Sequence, residues 1–395
     1  MKKTLTLVTL LAASASQAAG IAIDTQGGRA TGMGSTGVAS ARDGSSIYYN
    51  PAGILGVNKL DVELGASLIF VDLGFQPTGG TRQNQTPFSP PPHGYFVYKL
   101  NEQLAAGVGV FTPFGANSRW PDDFVGRQIS QESQVATYDI NPSVAYAPLS
   151  WLRLGAGVQA VYGTVDLSRK VNLGTSEGTI NLMGNAWGLG FNAGVQADLM
   201  PGLLTLGAHF RSRVRMNLEG DADFQDFPPV ETFADRPFTS TLRLPAQLGL
   251  GVAVTPLPKL LLTADANWVQ WSSIQQLLFE LNPAPPTGNQ PSIKNWEDRW
   301  NVRVGAEYGV TEMLAVRAGF VYDPTPSPEE TLAPDLPDAD RLKFSLGAGY
   351  TLSAFRLDAG YQLVLLQDKR STFEPLPGTY SGMAHVLGLT LGYSQ

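Results

Sequence analysis

The stretch KLDVELGASLIF, residues 59–70, alternates strictly between two kinds of side chain. Apolar side chains occupy every even position from Leu60 to Phe70, and the odd positions between them include Asp61, Glu63, Gly65 and Ser67. Successive side chains of a β-strand point to opposite faces. The pattern therefore predicts a strand with one greasy face and one polar or small face.

The same alternation returns along the chain, for example in WLRLGAGVQAVYGT, residues 151–164. Fourteen such segments begin near residues 58, 93, 104, 134, 152, 181, 203, 241, 260, 297, 314, 341, 355 and 381. The strands of a soluble β-sandwich would also alternate, so the connections between strands distinguish it from a membrane barrel. Short turns, as at residues 101–102, alternate with long loops, as at residues 113–133. Because this arrangement is typical of bacterial outer-membrane proteins, we predict an all-β fold, a 14-stranded antiparallel transmembrane β-barrel over residues 58–395.

The composition excludes several other classes of protein. Charged residues make up only 15% of the 395 residues and aromatic residues reach 10%, which is unusual for a soluble surface. Beyond the N-terminus, no stretch approaches the roughly 18 consecutive apolar residues of a transmembrane helix. The net charge of -7 disfavours a nucleic-acid partner. The chain has no cysteine, which excludes disulfides and thiolate metal sites.

Residues 1–18 have the features of a secretion signal. Lys2 and Lys3 precede an apolar run, and Ser16-Gln17-Ala18 forms a small-x-small cleavage site, with cleavage after Ala18 or within a residue or two of it. The mature chain is therefore expected to be exported to the outer membrane as an integral, multi-pass protein. A secreted soluble β-protein remains the alternative.

Residues 19–57 precede the first predicted strand and are rich in small side chains. Such a segment could be a disordered periplasmic tail or a compact hatch inside the barrel. Tyr48, Tyr49 and the turn Asn50-Pro51-Ala52-Gly53 favour the hatch, because disordered tails are poor in aromatic residues.

Several motifs, in order and spacing, resemble the FadL family of outer-membrane transporters for long-chain fatty acids and other hydrophobic compounds. They are the hatch signature of small residues with Asp43 and Asn50-Pro51-Ala52-Gly53, then TPFG at 112–115 with Trp120, INPSVAYAP at 140–148, LRLPAQLGLGVA at 242–253, WVQWS at 268–272, NWEDRWNVRVGAEY at 295–308, and RAGFVYDPTPSP through PDLPDADR at 317–341. The resemblance covers the whole mature chain.

The resemblance implies passive uptake of a hydrophobic ligand, captured by extracellular loops, passed to a lumenal pocket and released sideways through a gap in the wall when the hatch moves. The hatch residues would be Asp43, Asn50, Pro51, Ala52 and Gly53. The gap would lie where the third strand kinks, which corresponds here to Gly107, Gly109 and Pro113. Glycine and proline suit such a bend, but the glycines could instead only make room for the hatch.

Two long loops carry aromatic side chains that are candidates for ligand capture: Phe114, Trp120, Phe124, Phe224, Phe227 and Phe233. The alternative is that these rings pack against one another and stabilise the loops.

A fatty acid also needs a partner for its carboxylate. Arg211, Arg213 and Arg215 alternate on one predicted strand, so all three are expected to face the lumen as possible carboxylate partners. The alternative is that they pair with acidic residues of the wall or the hatch. Arg303 and Arg317 are weaker candidates of the same kind.

Among the functions, uptake of long-chain fatty acids or similar compounds leads. A transporter of aromatic hydrocarbons, a general porin and a lipid-cleaving enzyme are the alternatives. The enzyme is disfavoured because His93, His209 and His385 lie far apart in sequence and show no metal-ligand spacing, and we expect no enzyme activity and no cofactor. The expected partners are the ligand, outer-membrane lipid and the export and barrel-assembly machinery, with the protein itself a monomer.

Overall fold

The computed structural model describes residues 20–228, 230, 233–285 and 288–395. The secretion signal predicted at residues 1–18 lies outside the described residues. Fourteen antiparallel strands form a single closed barrel, as predicted. Closure is direct, because the first and last strands pair from Asp61 opposite Ser394 to Pro77 opposite Gly378.

The barrel strands, several of them interrupted, are numbered β1 to β14 in chain order. Their bounds are β1 Leu60–Pro77; β2 Gln83–Gln85, Phe88–Ser89 and Pro92–Asn101; β3 Leu104–Phe111 and Gly115–Arg119; β4 Glu132–Leu149; β5 Leu152–Asn172; β6 Glu177–Met200; β7 Leu204–Arg211 and Val214–Gln225; β8 Arg236–Leu244 and Gln247–Leu257; β9 Leu260–Val269 with Phe279–Leu281; β10 Arg299–Gly309; β11 Leu314–Asp323; β12 Arg341–Leu352; β13 Phe355–Ser371; and β14 Gly378–Ser394. A small hairpin, Gln276–Leu277 with Ser292–Ile293, lies outside the barrel sheet.

The two faces of the strands are inverted relative to a soluble protein. On β1 the apolar side chain of Leu64 is 68% exposed, whereas Asp61 and Ser67 on the other face are buried. The same holds for Leu346 and Lys343 on β12. An apolar exterior around a polar interior is what a barrel immersed in lipid requires. The outer face is therefore the lipid-facing surface.

The hatch occupies the lumen. It contains two short α-helices, α1 (Gly28–Gly32) and α2 (Ser46–Tyr49), and a 3-10 helix, Pro51–Gly56. Outside the hatch, another 3-10 helix, Trp271–Ser273, lies between the two parts of β9. None of the described helices has the length and apolar character needed to cross a membrane. Almost every residue from 20 to 55 is buried, so the segment is a packed hatch.

Buried ion pairs join the hatch to the wall. Arg303 of β10 and Lys343 of β12 both bind the Asp24 carboxylate, at 3.2 Å in each case. Arg29 of α1 binds Glu307 of β10 at 2.9 Å. Removing one member of such a network would leave a buried charge with fewer partners, which is destabilising, so these contacts specify where the hatch docks.

Two strands depart from regular pairing, and both departures matter below. β3 is interrupted between Phe111 and Gly115, and beyond the interruption β4 is its only partner among the described barrel strands. β7 is interrupted at Ser212 and Arg213, where its inward-facing side chains change from odd to even positions. Long loops lie at one end of the barrel and short turns at the other, so the long-loop end faces the outside of the cell.

Candidate functional site

A cavity of about 510 Å³ lies inside the extracellular end of the barrel. Its volume is in the range of about 300–1,000 Å³ that small-molecule sites occupy. Most of its lining is apolar and comes from several strands and three extracellular loops: Ile129, Val135, Val165, Leu167, Ile180, Leu182, Leu218, Phe224, Leu242, Leu277, Phe279, Leu281 and Leu336. The cavity therefore suits a hydrophobic ligand.

One cation, Arg169 of β5, lines this cavity without a carboxylate partner. No hydrogen bond or ion pair of its side chain is found within the described residues. Lys294, also close by, is bound to Asp335 at 2.6 Å. Arg169 was not among the predicted carboxylate partners, although the odd positions Val161, Val165 and Leu167 of the same strand predict that its side chain points inward.

The first residues of the hatch close the interruption in β3. The Ile23 amide donates to the Pro113 carbonyl at 2.8 Å, and the Gly115 amide donates to the Ile21 carbonyl at 2.8 Å. Ala22 and Phe114 thus form an isolated antiparallel bridge. The hatch supplies the strand pairing that β3 lacks on this side.

Ile21, Ala22 and Phe114 also belong to the same buried apolar cluster as Val135 and Leu242 of the cavity wall. Apolar contact is therefore continuous from the cavity to the interruption in the wall. The hatch start lies between the two.

An extracellular loop holds the beginning of the hatch. The Gly20 amide donates to Oδ2 of Asp338 at 2.9 Å, and the same carboxylate binds Thr325 and Arg341. Burial raises the pKa of the Asp338 carboxyl, and the positive charge of Arg341 acts in the opposite direction. Gly20 has φ +67° and lies against the Trp271 ring, so a larger residue would not fit there.

The turn at the end of the hatch is docked on β6 and β7. Nδ2 of Asn50 lies 2.7 Å from the Val38 carbonyl, 3.0 Å from the Val195 carbonyl and 3.2 Å from the Ala208 carbonyl. Its Oδ1 accepts a bond from the Ala52 amide at 3.2 Å, which caps the 3-10 helix. Asn50 is fully buried, so it is a direct link between hatch and wall.

Glycines of the wall make this docking possible. A Cβ atom at Gly194 would collide with the Asn50 side chain, and one at Gly155 would collide with the backbone of Pro51 and Ala52. Within the hatch, Gly53 fits closely against the Ala41 carbonyl in the same way. Of the expected hatch residues, Asn50, Pro51 and Ala52 therefore lie together at one contact with the wall.

Asp43 lies elsewhere in the hatch. Its carboxylate caps the following turn by accepting from the Ser45 amide at 3.1 Å and the Ser45 hydroxyl at 2.5 Å, and it lies 3.7 Å from Arg29. The sequence prediction grouped Asp43 with Asn50, but the structure gives it a local capping role.

Gly107 and Gly109 do not form the expected bend. Both lie where β3 pairs regularly with β2 and β4, and the interruption begins only after Phe111. A Cβ atom at either glycine would press on Ile47 of the hatch. These contacts match the alternative, in which the two glycines make room for the hatch. Pro113, in contrast, does lie at the interruption.

The expected exposure of the first set of loop aromatics is wrong. Phe114, Trp120 and Phe124 are 6%, 2% and 0% exposed. Trp120 and Phe124 stack with ring centroids 4.2 Å apart and pack against Phe75 and Tyr380. Apolar burial explains the difference, because long loops at the barrel mouth form a core of their own.

The second set is half-buried and remains available to a ligand. Phe224, Phe227 and Phe233 form a cluster of rings with centroids 4.6 to 6.5 Å apart. Of these, Phe224 also lines the cavity.

The three arginines of β7 do not share a face, contrary to the prediction. Arg211 is buried in the lumen, where it binds Asp139 at 3.2 Å and the Tyr48 carbonyl at 3.3 Å. Arg213 and Arg215 are exposed on the outer face. The irregular residues Ser212 and Arg213 change the phase of the alternation, which sequence periodicity does not reveal.

A closed outer-membrane barrel with a packed hatch and an apolar cavity at its outer mouth defines a class of outer-membrane transport protein. A sequence profile of the family described as "Outer membrane protein transport protein (OMPP1/FadL/TodX)" matches residues 9–394, and the chain belongs to this family. It is a protein of the outer membrane.

The chain is 26% identical to outer membrane protein P1 of Haemophilus influenzae, over 85% of this chain and 82% of that protein. It is 24% identical to the long-chain fatty acid transport protein of Escherichia coli K12, over 90% of each. Among solved structures, a Pseudomonas aeruginosa FadL homologue superimposes with a TM-score of 0.85 at 21% identity, over 95% of this chain and 100% of that one. The toluene transporter TodX of P. putida gives 0.76 at 16% identity, over 93% and 97%. These two likenesses show the fold.

Proposed function

We propose that this protein takes up hydrophobic small molecules passively, holding them first in the cavity and releasing them sideways through the interruption in β3. The observation that carries the proposal is the unbroken apolar cluster from the cavity to that interruption, with Ile21 and Ala22 of the hatch between them. Burial of apolar surface contributes about 25 cal/mol per Å², so a greasy ligand needs no energy source to enter the cavity.

Release requires that the start of the hatch moves. The loop that carries Asp338 also supplies Asp335 and Leu336 to the cavity lining. A ligand that displaces this loop would therefore weaken the bond between Asp338 and Gly20. Freed of it, residues 21–23 can separate from Pro113 and Gly115, which opens the wall.

Fatty acids or similar carboxylated amphiphiles are the proposed ligands, because Arg169 lines the cavity and has no ion pair within the described residues. The names of related proteins cover both a fatty acid and toluene, and an aromatic hydrocarbon would need no such charge. A general porin would need an aqueous lumen, whereas here hatch residues fill it. The sheet closes within one chain, which supports a monomer.

The test is uptake in a strain that lacks the protein, complemented with the wild-type chain. The probes are a radiolabelled C16 fatty acid, toluene and a disaccharide, and mass spectrometry identifies what co-purifies with the protein in detergent. Uptake of the fatty acid alone supports the proposal. Uptake of toluene alone would show that the ligands are aromatic hydrocarbons and not fatty acids, and uptake of the disaccharide would indicate a porin.

Arg169→Gln should weaken binding of the C16 carboxylate about tenfold, because a charge-assisted hydrogen bond contributes about 1.5–3 kcal/mol. Binding of the matching C16 alcohol should stay the same. Tryptophan fluorescence titration measures both. Arg82→Gln is the matched control, since Arg82 is exposed in the β1–β2 loop at the same end and bonds Asn84 and Ser381, which do not line the cavity. If Arg169→Gln weakened binding of the acid and of the alcohol equally, Arg169 would not be a partner of the carboxylate.

A further inference from the structure

Three arginines form a cluster on the outer surface of the barrel. Arg215 of β7 lies directly opposite Arg243 of β8, and both side chains point outward. Arg213, two residues before Arg215, is exposed on the same face. The arginine cluster is defined as these three residues.

Like charges directly opposite one another destabilise a strand pair, and no carboxylate of the described residues is ion-paired with this cluster. Within the described residues none of the three arginines forms an ion pair; Arg213 donates to Oε1 of Gln270 at 2.7 Å and Arg215 to Oδ1 of Asn217 at 3.2 Å. The first outward acid further along β7 is Glu219, which lies opposite Thr239 and not opposite an arginine. The cluster therefore holds three positive charges among neutral partners.

The cluster lies at the outer edge of the apolar belt of the wall, where the neighbouring strand β6 carries the exposed ring of Trp187. Below it, the outward side chains of β7 and β6 include Phe210 and Phe191, whose ring centroids are 5.8 Å apart. Trp268 and Trp300 lie opposite one another on β9 and β10. Aromatic girdles of this kind mark the membrane interface. The strands then continue to long loops, so the interface is the outer one.

We propose that the arginine cluster binds the phosphate groups of lipid A, the glycolipid of the outer leaflet. Guanidinium groups bind phosphate oxygens bidentately, and a phosphate between Arg215 and Arg243 would relieve their repulsion. The acyl chains of the same lipid would lie along Phe191 and Phe210. The site is separate from the proposed transport route, because it lies on the outer face of β7 and β8, whereas release is through the interruption in β3.

The experiment uses the full-length protein in nanodiscs that contain bisphosphorylated lipid A, with retained lipid measured by native mass spectrometry. Replacing Arg213, Arg215 and Arg243 by Gln should lower lipid A affinity roughly 100-fold, since each cation near a phosphate contributes about a factor of five. The triple Arg→Lys variant should bind lipid A with intermediate affinity, because lysine keeps the positive charge but cannot bind a phosphate bidentately. Arg370→Gln is the control: Arg370 is exposed on β13 and lies opposite Thr379.

Heat-modifiable mobility on a gel establishes that each variant is folded; if the triple Gln variant is not, Arg215→Gln/Arg243→Gln replaces it. Retention equal to wild type in the folded variant would overturn the proposal. So would equal retention of fully dephosphorylated lipid A by the wild type. Displacement of lipid A by inorganic phosphate at matched concentration would show a site for free anions and would also overturn it.

Discussion

Oxidation of a double variant, Ala22→Cys/Phe114→Cys, should stop ligand uptake, and reduction should restore it. Ala22 of the hatch and Phe114 of β3 face one another as a non-hydrogen-bonded antiparallel pair. The hydrogen bonds between the two segments lie on either side of this pair. Cα atoms of such antiparallel pairs lie about 4.5 Å apart, which is within the range that a disulfide spans. The chain has no native cysteine, so no competing disulfide can form.

The disulfide should abolish uptake: the rate for labelled C16 acid should fall to that of cells without the protein. The reason is that the covalent bond holds Ala22 across the interruption in β3, and no thermal opening can break it. Each single cysteine variant under the same oxidant is the control, because it carries the same loss of packing. Normal uptake by the oxidised double variant, with the disulfide confirmed by mass spectrometry, would show that ligand does not leave through this part of the wall.

Local periodicity was enough to predict the barrel. Alternation in segments such as residues 59–70 depends only on neighbouring residues, and lipid outside and polar atoms inside enforce it along every strand. The strand count and the order of short turns and long loops followed from the same signal. The hatch was also predictable, because Tyr48 and Tyr49 are out of place in a disordered tail.

The arrangement of the site was less accessible, because it depends on contacts between distant residues. Asp338 and Gly20 are 318 positions apart, and no local pattern pairs them. The irregularity at Ser212 reverses the phase of β7, so the prediction for Arg213 and Arg215 was wrong while that for Arg211 placed it correctly in the lumen. Burial of Trp120 and Phe124 likewise depends on partners from other loops.

Gly194→Val should undock the end of the hatch and leave the barrel folded. The new side chain would occupy the space that the Asn50 amide now fills, while Gly194 faces the lumen and its backbone pairing with β5 and β7 needs no change. Without docking at Asn50, the hatch loses its bonds to the Val195 and Ala208 carbonyls. We expect ion conductance in planar bilayers to rise well above that of the wild type.

Asn50→Ala removes the same bonds without a collision, so its effect should be smaller. Leaving buried carbonyls without a donor costs about 1–3 kcal/mol, which raises the population of the undocked hatch but does not enforce it. Short openings, not a permanently open channel, are therefore expected. Gly392→Ala is the control, because a Cβ atom there meets only the end of the Arg356 side chain, at 3.4 Å. If folded Gly194→Val protein conducts no better than this control, the Asn50 contact does not hold the hatch in place, and the ion pairs of Asp24 and Arg29 must suffice.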